Sequence, residues 1–307
     1  MKPCCAPSRT SPGSVGPEQA IEPGPGNRHE TVVIPGGTAL IGTDNPYFPE
    51  DGEGPLRRKK LASFRMDIAA VSNARFKEFV AATGYLTDAE RLGDSLVFQG
   101  LLPKGTPPTR SVADAPWWRM VPGANWRAIA GPASEDMWLP DHPVIHISWN
   151  DAVAFAKWAG GHLPTEAQWE HAARGGLGDV PYPWGTKEPN DTDYQPCNIW
   201  QGRFPHQNLC LDGFVGTAPA RSFEPNGYGL YNMAGNVWEF TSELFKVRSL
   251  KKTVIAAHAH KKGFKLSKGG SFLCHRSYCY RYRIPARNSM SADTSTSHQG
   301  MRLVYEI

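Results

Sequence analysis

Cys274 and Cys279 lie in the densest run of reactive side chains in this sequence, GGSFLCHRSYCYRYR at 269–283, with four residues between them. A strict strand would send the two thiols to opposite faces, and an α-helix would set them about 140° apart, so a shared role requires a local bend. His275, Arg276, Arg281 and Arg283 surround the pair, and positive charge there would favour thiolate. Three readings stay open. A structural zinc site wants four ligands, and the sequence holds no second cysteine pair of matching spacing. Inert buried thiols or a simple disulfide are the plain alternative. Two thiolates at one point suit a soft ion of low coordination number, Cu(I), or a redox dithiol.

A second constellation is rich in oxygen. NIW with DGF offers Asn198, Asp212 and nearby carbonyls, and NMAGNVWE offers Asn232 and Glu239 around a glycine turn. Carboxylate, amide and carbonyl oxygens together suit Ca2+, although surface turns use the same residues. His142 and His146 in HPVIH have the helical zinc spacing, but Pro143 and the β-branched run make the segment extended and part the rings. His258 and His260 read as part of an exposed lysine-rich loop. GGLGD at 175–179 lacks the strand, helix and spacing of a phosphate loop. Cys197 and Cys210 read as buried thiols.

These residues need a scaffold. At 307 residues and 40% hydrophobic the chain can bury a core, and its 10 Trp, 27 Pro and 31 Gly imply short elements and many turns pinned by aromatic rings. Residues 1–28 have almost no large apolar side chains and read as a disordered tail, leaving 29–307 as a single domain. TVVIPGGTALIG reads as an opening hairpin. SNARFKEFVAATGY predicts a helix capped by Ser72, with Phe76, Phe79 and Val80 on one face and a stop at Gly84. SWNDAVAFAKWAGG and TEAQWEHAARGG predict two more, opened by the capping boxes Ser148/Asp151 and Thr165/Gln168. All three helices are expected to carry packing rather than chemistry.

A net charge of +4, with basic runs scattered along the chain, reads as surface rather than as a nucleic-acid footprint. No apolar stretch approaches a membrane span, and the N-terminal residues lack the apolar centre of a secretory signal, so neither a membrane partner nor export is expected, and a cytoplasmic location is. Six unevenly spread cysteines do not make a disulfide scaffold at this size.

KGGSFLCHRSYCYRYR, together with DGEGP, ATGYLTDAE, APWW, HPVIHISWNDAVAFAKWAGG, LPTEAQWEHAARGG, CNIWQGRFP and NGYGLYNMAGNVWE, closely resembles the formylglycine-generating enzymes, over about residues 31–304. The resemblance implies a mixed α/β fold related to C-type lectin-like domains. It also implies an oxidase that uses Cu(I) and O2 to convert the cysteine of a Cys-x-Pro-x-Arg motif in a nascent or unfolded sulfatase to Cα-formylglycine. By the same resemblance Cys274 and Cys279 are the catalytic pair and copper ligands, and Trp238, Ser271, Arg276, Tyr278 and His298 belong to the substrate cleft. One structural Ca2+ maps to Asn198, Ile199, Asp212 and Phe214, and a second to Asn232, Gly235, Val237 and Glu239. The alternatives are a non-catalytic sulfatase-binding paralogue, or another metal-dependent oxidase on the same fold.

The tail holds a match of its own. Cys5-Ala6-Pro7-Ser8-Arg9 fits the Cys-x-Pro-x-Arg motif that the resemblance implies as substrate, so the chain's own N-terminal tail is a possible partner beside a sulfatase, with Cys5 converted or acting as a competitor. Coincidence, or an unrelated metal-handling role for the tail cysteines, is the alternative.

Overall fold

Every helix singled out in the sequence begins at its expected cap. The computed structural model describes residues 7, 8, 19, 21–24, 30–132, 134–249 and 251–307. Helix α1 spans Asn73–Thr83, with the Ser72 side chain accepting from Arg75 N–H and Gly84 closing it in the left-handed conformation. Thr87 and Glu90 form a further capping box, not anticipated from the sequence, and start the short α2, Asp88–Leu92. Helix α3, Trp149–Trp158, and α4, Glu166–Arg174, open on the Ser148/Asp151 and Thr165/Gln168 boxes. Phe76, Phe79, Phe155, Trp126 and Trp158 bury between α1 and α3 and form the largest apolar cluster.

Among the described residues the strands are short and fall into five small sheets, in a mixed α/β arrangement. The opening hairpin does not form. Thr31–Ile34 pairs with Phe64–Asp67, and Gly37–Ile41 pairs with Arg57–Leu61, so the Pro-Gly-Gly stretch passes the chain from one sheet to another. Pro35 has no N–H to offer a ladder, and the real partners are two consecutive strands further along the chain that themselves lie in different sheets. The stretch 90–142, though broken by many Gly and Pro residues, holds Asp94–Phe98 paired with the eight-residue strand Ala115–Pro122. The sheet that carries the site has the order Asn288–Met290, Lys265–Lys268, Trp238–Leu244, Gln299–Gly300, with the last pairing parallel.

Within the stretch read as a disordered tail, the described residues lie against the domain. Ile21 is buried in the α1/α3 cluster, Gly24 N–H donates to Trp158 O at 3.0 Å, and Leu86 N–H donates to Gln19 Oε1 at 2.9 Å. One isoleucine gives this stretch an apolar anchor. Cys4 and Cys5 lie outside the described residues.

Three arginines fasten the chain that follows Cys279. Arg281 pairs with Asp51 at 2.5 Å, Arg283 with Glu53 at 2.6 Å, and Arg287 with Glu166 at 2.9 Å. Glu53 Oε2 also accepts from Tyr47 and Phe48 N–H, each at 2.9 Å, so the DGEGP loop is locked to the cysteine segment from both sides.

Candidate functional site

Gly269 and Gly270, with φ of 97° and 77°, turn the chain out of Lys265–Lys268 into the cysteine segment. A Cβ on Gly270 would lie 2.8 Å from the Tyr282 Cα, so only glycine lets the two backbones pass this closely. Cys274 N–H then donates to Ser271 O at 2.9 Å, and Cys279 N–H to His275 O at 2.8 Å. These two turns supply the bend that the spacing required. Cys274 Sγ and Cys279 Sγ stand 3.4 Å apart, both fully buried.

The walls are mostly aromatic. Trp238, Tyr182, Tyr280 and Tyr282 pack with the two cysteines, together with Ile199 and Cys197. Trp184 stacks on Tyr182 at 5.1 Å, and the Tyr182 and Tyr280 hydroxyls meet at 2.6 Å. Ser271 N–H points at Cys274 Sγ from 3.4 Å, and a donor aimed at sulfur favours its thiolate form. The neighbouring arginines play another part than the sequence suggested. Arg281 and Arg283 are neutralised in the ion pairs given above, and Arg276, largely exposed, pairs with Glu188 at 3.1 Å. Their charge holds the segment in place.

Of the residues expected in a substrate cleft, two gather at the thiols, and a third, His298, is tied to one of them through its backbone carbonyl. Ser271 contacts Cys274, and Trp238 packs against both sulfurs' residues with an indole N–H that is buried and without a partner among the described residues. The Trp238 amide donates to His298 O at 2.9 Å, while His298 Nδ1 meets Thr296 Oγ1 at 2.6 Å and its ring lies 4.7 Å from Trp118. Tyr278 forms an outer wall, stacked on Phe204 at 4.1 Å and edge-on to Trp117 at 5.3 Å. Arg276 is largely exposed, paired with Glu188, and its guanidinium lies 5.9 Å over the ring of Tyr280, at the outer side of the aromatic wall.

The donor set decides which metal fits. Among the described residues no three His, Cys, Asp or Glu converge on a point, so the zinc reading finds no further ligands. Two sulfurs in an apolar, aromatic pocket fit a soft ion that accepts low coordination.

The two oxygen-rich sets lie back to back. Gly235, φ 77°, approaches so closely that a Cβ there would sit 2.3 Å from Asn198 O, and Asn236 N–H donates to that carbonyl at 2.8 Å. In the first set Asp212 accepts from Ile199 and Phe214 N–H at 3.1 and 3.0 Å, and Asn198 Nδ2 donates to Gly216 O at 2.9 Å. Gln201 Nε2 donates both to Asp212 Oδ2, at 2.9 Å, and to Ile199 O, so these oxygens point to a common centre. Gln201 Oε1 is buried without a partner among the described residues. Burial raises the Asp212 pKa, which a cation would reverse. Gln201 stands inside the NIWQG motif and was missed, because a glutamine carries no metal signature by itself.

The second set fits a cation less well. Glu239 is its sole carboxylate, and it accepts from Arg302 at 2.9 Å and from the Trp169 indole at 2.8 Å, leaving no uncompensated charge for Ca2+. Asn232 Oδ1 is buried and unpartnered among the described residues, and Gly235 and Val237 follow on the same turn.

Cys197 is buried, which pushes its thiol well above the usual range, whereas Cys210 is half-buried. His142 bonds Thr217 at 2.9 Å and His146 bonds Ser95 at 2.8 Å, so the two rings have separate partners. His258, expected in an exposed loop, is buried with Nδ1 on Val254 O at 2.9 Å. Its ring lies beside Phe245, which covers it.

Residues 17–307 match the family model of the sulfatase-modifying factor enzyme 1-like domain. A formylglycine-generating enzyme from Thermomonospora curvata is 51% identical over 278 residues, covering 88% of this chain and 91% of its own. An inactive C-alpha-formylglycine-generating enzyme 2 from Bos taurus is 38% identical, covering 92% of this chain and 90% of its own. Among solved structures, PvdO from Pseudomonas aeruginosa superposes with a TM-score of 0.63 at 20% identity, over 95% of this chain and all of that one, a likeness of fold.

Proposed function

The chain belongs to the sulfatase-modifying factor enzyme 1-like family, and from that premise we propose that it converts the cysteine of a Cys-x-Pro-x-Arg motif in a sulfatase to Cα-formylglycine, with Cu(I) at Cys274 and Cys279 and O2 as oxidant. The observation that carries this reading is the thiol pair, 3.4 Å apart in an aromatic pocket with an N–H aimed at one sulfur. Inert packing needs none of these features. They favour a catalytic role over that of a non-catalytic paralogue, which needs the fold but not the pair.

Bound at the two sulfurs, Cu(I) would supply the one-electron chemistry that lets O2 react at carbon. The protein's own residues do the rest. Ser271 N–H stabilises negative charge on Cys274 Sγ, and the Tyr182, Tyr280 and Tyr282 rings keep water from the sulfurs. The unpartnered Trp238 N–H offers a hydrogen bond to an incoming polar group, and Thr296 fixes the His298 ring against Trp118. A peptide cysteine placed there would add a third sulfur, with its Cβ–H bonds facing the same pocket. A structural Ca2+ belongs to the first oxygen-rich set, Asn198, Ile199, Asp212 and Phe214, with Gln201 as a further donor. The reaction takes place in the cytoplasm, on a sulfatase not yet folded.

The test is incubation with a Cys-x-Pro-x-Arg peptide, Cu(I) and O2, followed by mass spectrometry. Aldehyde in the product supports the proposal. Unchanged peptide across several such sequences sinks it in favour of a binding role.

A further inference from the structure

We propose that a basic cavity between the strand Arg57–Leu61 and the chain that follows Trp238–Leu244 binds an anion bearing a diphosphate group. This site goes beyond the activity proposed above and does not depend on it.

The cavity, about 600 Å3, is lined by Arg57, Lys59, Lys246, Arg248 and Arg287. Strand alternation puts Arg57 and Lys59 on the same face of their strand, toward it. Arg287 is buried and Arg248 half-buried, while Lys59 and Lys246 are exposed. Guanidiniums therefore form the floor and ammonium groups the rim. Two carboxylates also line the cavity. Glu166 accepts from Arg287 Nε at 2.9 Å and pairs with Arg248, and Glu243 Oε2 accepts from Glu166 N–H at 2.7 Å, at the start of α4. Neither rim lysine has a carboxylate in ion-pair contact among the described residues. Five cations against two anions leave an excess of three positive charges converging on one space.

Arg57 points to the kind of anion. Its Nε and Nη2 are buried without a hydrogen-bond partner among the described residues, and Glu166 Oε2 stops 4.0 Å short of Nη2. Buried donors are ordinarily satisfied, so this edge of the guanidinium lacks the acceptor that an oxyanion supplies. The two donors lie side by side, and such a fork takes two oxygens of one phosphate at once.

Charge selects among oxyanions. A diphosphate ester carries about −3 near neutral pH, one charge on its inner phosphate and up to two on its outer one, which matches the excess. A single phosphate carries about −1.5 to −2 and leaves a cation unanswered. A nucleic-acid strand brings its charge one phosphate at a time and needs a long basic track. Lys251 and Lys252, exposed on the same stretch of chain, lie outside the cavity lining, so they separate a cavity ligand from a surface one.

The experiment is calorimetric titration of the full-length chain, with no metal added, using inorganic diphosphate, ADP, inorganic phosphate and a short DNA duplex. Diphosphate should bind saturably at one site, at least about tenfold tighter than phosphate, as one further charge-assisted contact allows. Lys59→Ala, Lys246→Ala should weaken it at least about tenfold, and Arg57→Ala likewise, whereas Lys251→Ala, Lys252→Ala should change it less than about twofold. The exposed lysine pairs leave the packed interior alone, so a loss confined to the first pair reads the cavity and not the fold. ADP binding as diphosphate does assigns recognition to the phosphates, and tighter ADP binding assigns an organic diphosphate ester; both support the proposal. No saturable diphosphate binding at millimolar concentrations overturns it, as does equal loss in the two lysine pairs. A duplex that binds more tightly than diphosphate overturns it too, in favour of a nucleic-acid surface. Binding is read without peptide conversion, so failure here leaves the proposed activity untouched.

Discussion

Glu166 is the carboxylate on which the cysteine segment's last anchor depends, and Glu166→Gln gives the sharpest test of how that segment is held. Arg287 Nε donates to Glu166 Oε1 at 2.9 Å, Arg248 pairs with Oε2, and Lys268 and Arg57 lie 3.9 and 4.0 Å from the carboxylate. Burial alone would raise its pKa, but Arg287, Lys268, Arg248 and Arg57 together pull it down from 4.5 to about 2. A depressed acid stabilises the fold above its unfolded value and loses that contribution as pH falls through the folded one. The window is therefore pH 4.5 down to about 2, and the interval corresponds to roughly 3 kcal/mol at ~1.4 kcal/mol per pH unit. Removing one partner of a buried ion pair costs about 3–5 kcal/mol, which agrees. Denaturant unfolding at pH 7 should show a loss of about 3 kcal/mol in Glu166→Gln, shrinking steadily as both proteins are taken below pH 4.5. A loss below about 1 kcal/mol at pH 7, or one equally large near pH 2, would show that the cluster is not held by charge.

Further outcomes follow from the site. Cys274→Ser and Cys279→Ser should each weaken Cu(I) binding by more than about 100-fold in competition with a chelator, since each removes half of a two-ligand set; unchanged affinity in both would remove copper from these thiols. Gly270→Ala should cost about 1–3 kcal/mol and abolish peptide conversion, because a Cβ at φ 77° meets the Tyr282 backbone; calorimetry and the aldehyde assay together check it. Ca2+ at about 100 times its Kd should stabilise the protein by ~2.7 kcal/mol, and Asp212→Ala should erase that increment in thermal unfolding. Burial holds the His146 ring neutral, with its pKa lowered to about 3, so its imidazole resonances should stay fixed from pH 7 to pH 4, and its share of stability, full above pH 6.5, should decline steadily from there until pH falls to about 3.

What could be read from the sequence was what is local. The caps at Ser72, Ser148 and Thr165 form within four residues of chain, and each stands where its pattern put it. The hairpin at Thr31–Ile41 failed because pairing partners are chosen by tertiary packing, and the strands that win lie beyond a long loop. The cysteine segment was legible as chemistry but not as geometry: four intervening residues part the thiols on any regular element, and two turns around Ser271 and His275 bring them together. The arginines show the limit most clearly. Asp51 and Glu53 are each 230 residues from the guanidinium they bind, so proximity in sequence suggested that Arg281 and Arg283 activate thiols when they fasten backbone. Glu239 is a further case, since the Arg302 from which it accepts lies 63 residues away.

That division has a consequence for activity. An irregular segment has no ladder of backbone hydrogen bonds to hold it, so here side-chain charge takes over that task through Arg281, Arg283 and Arg287. The fastening owes nothing to the sulfurs. A relative could therefore keep the ion pairs, the aromatic walls and the whole fold while losing the thiols, and would then be a binding protein of the same shape. An inactive relative at 38% identity is compatible with that separation of fold from chemistry. In this chain the two thiols are present, meet at 3.4 Å, and receive an N–H on one sulfur. The case for catalysis accordingly rests on two atoms, and the double variant Cys274→Ser, Cys279→Ser should unfold like the parent while converting no peptide. If it instead loses several kcal/mol of stability, the thiols are core packing and the argument for an oxidase loses its structural support.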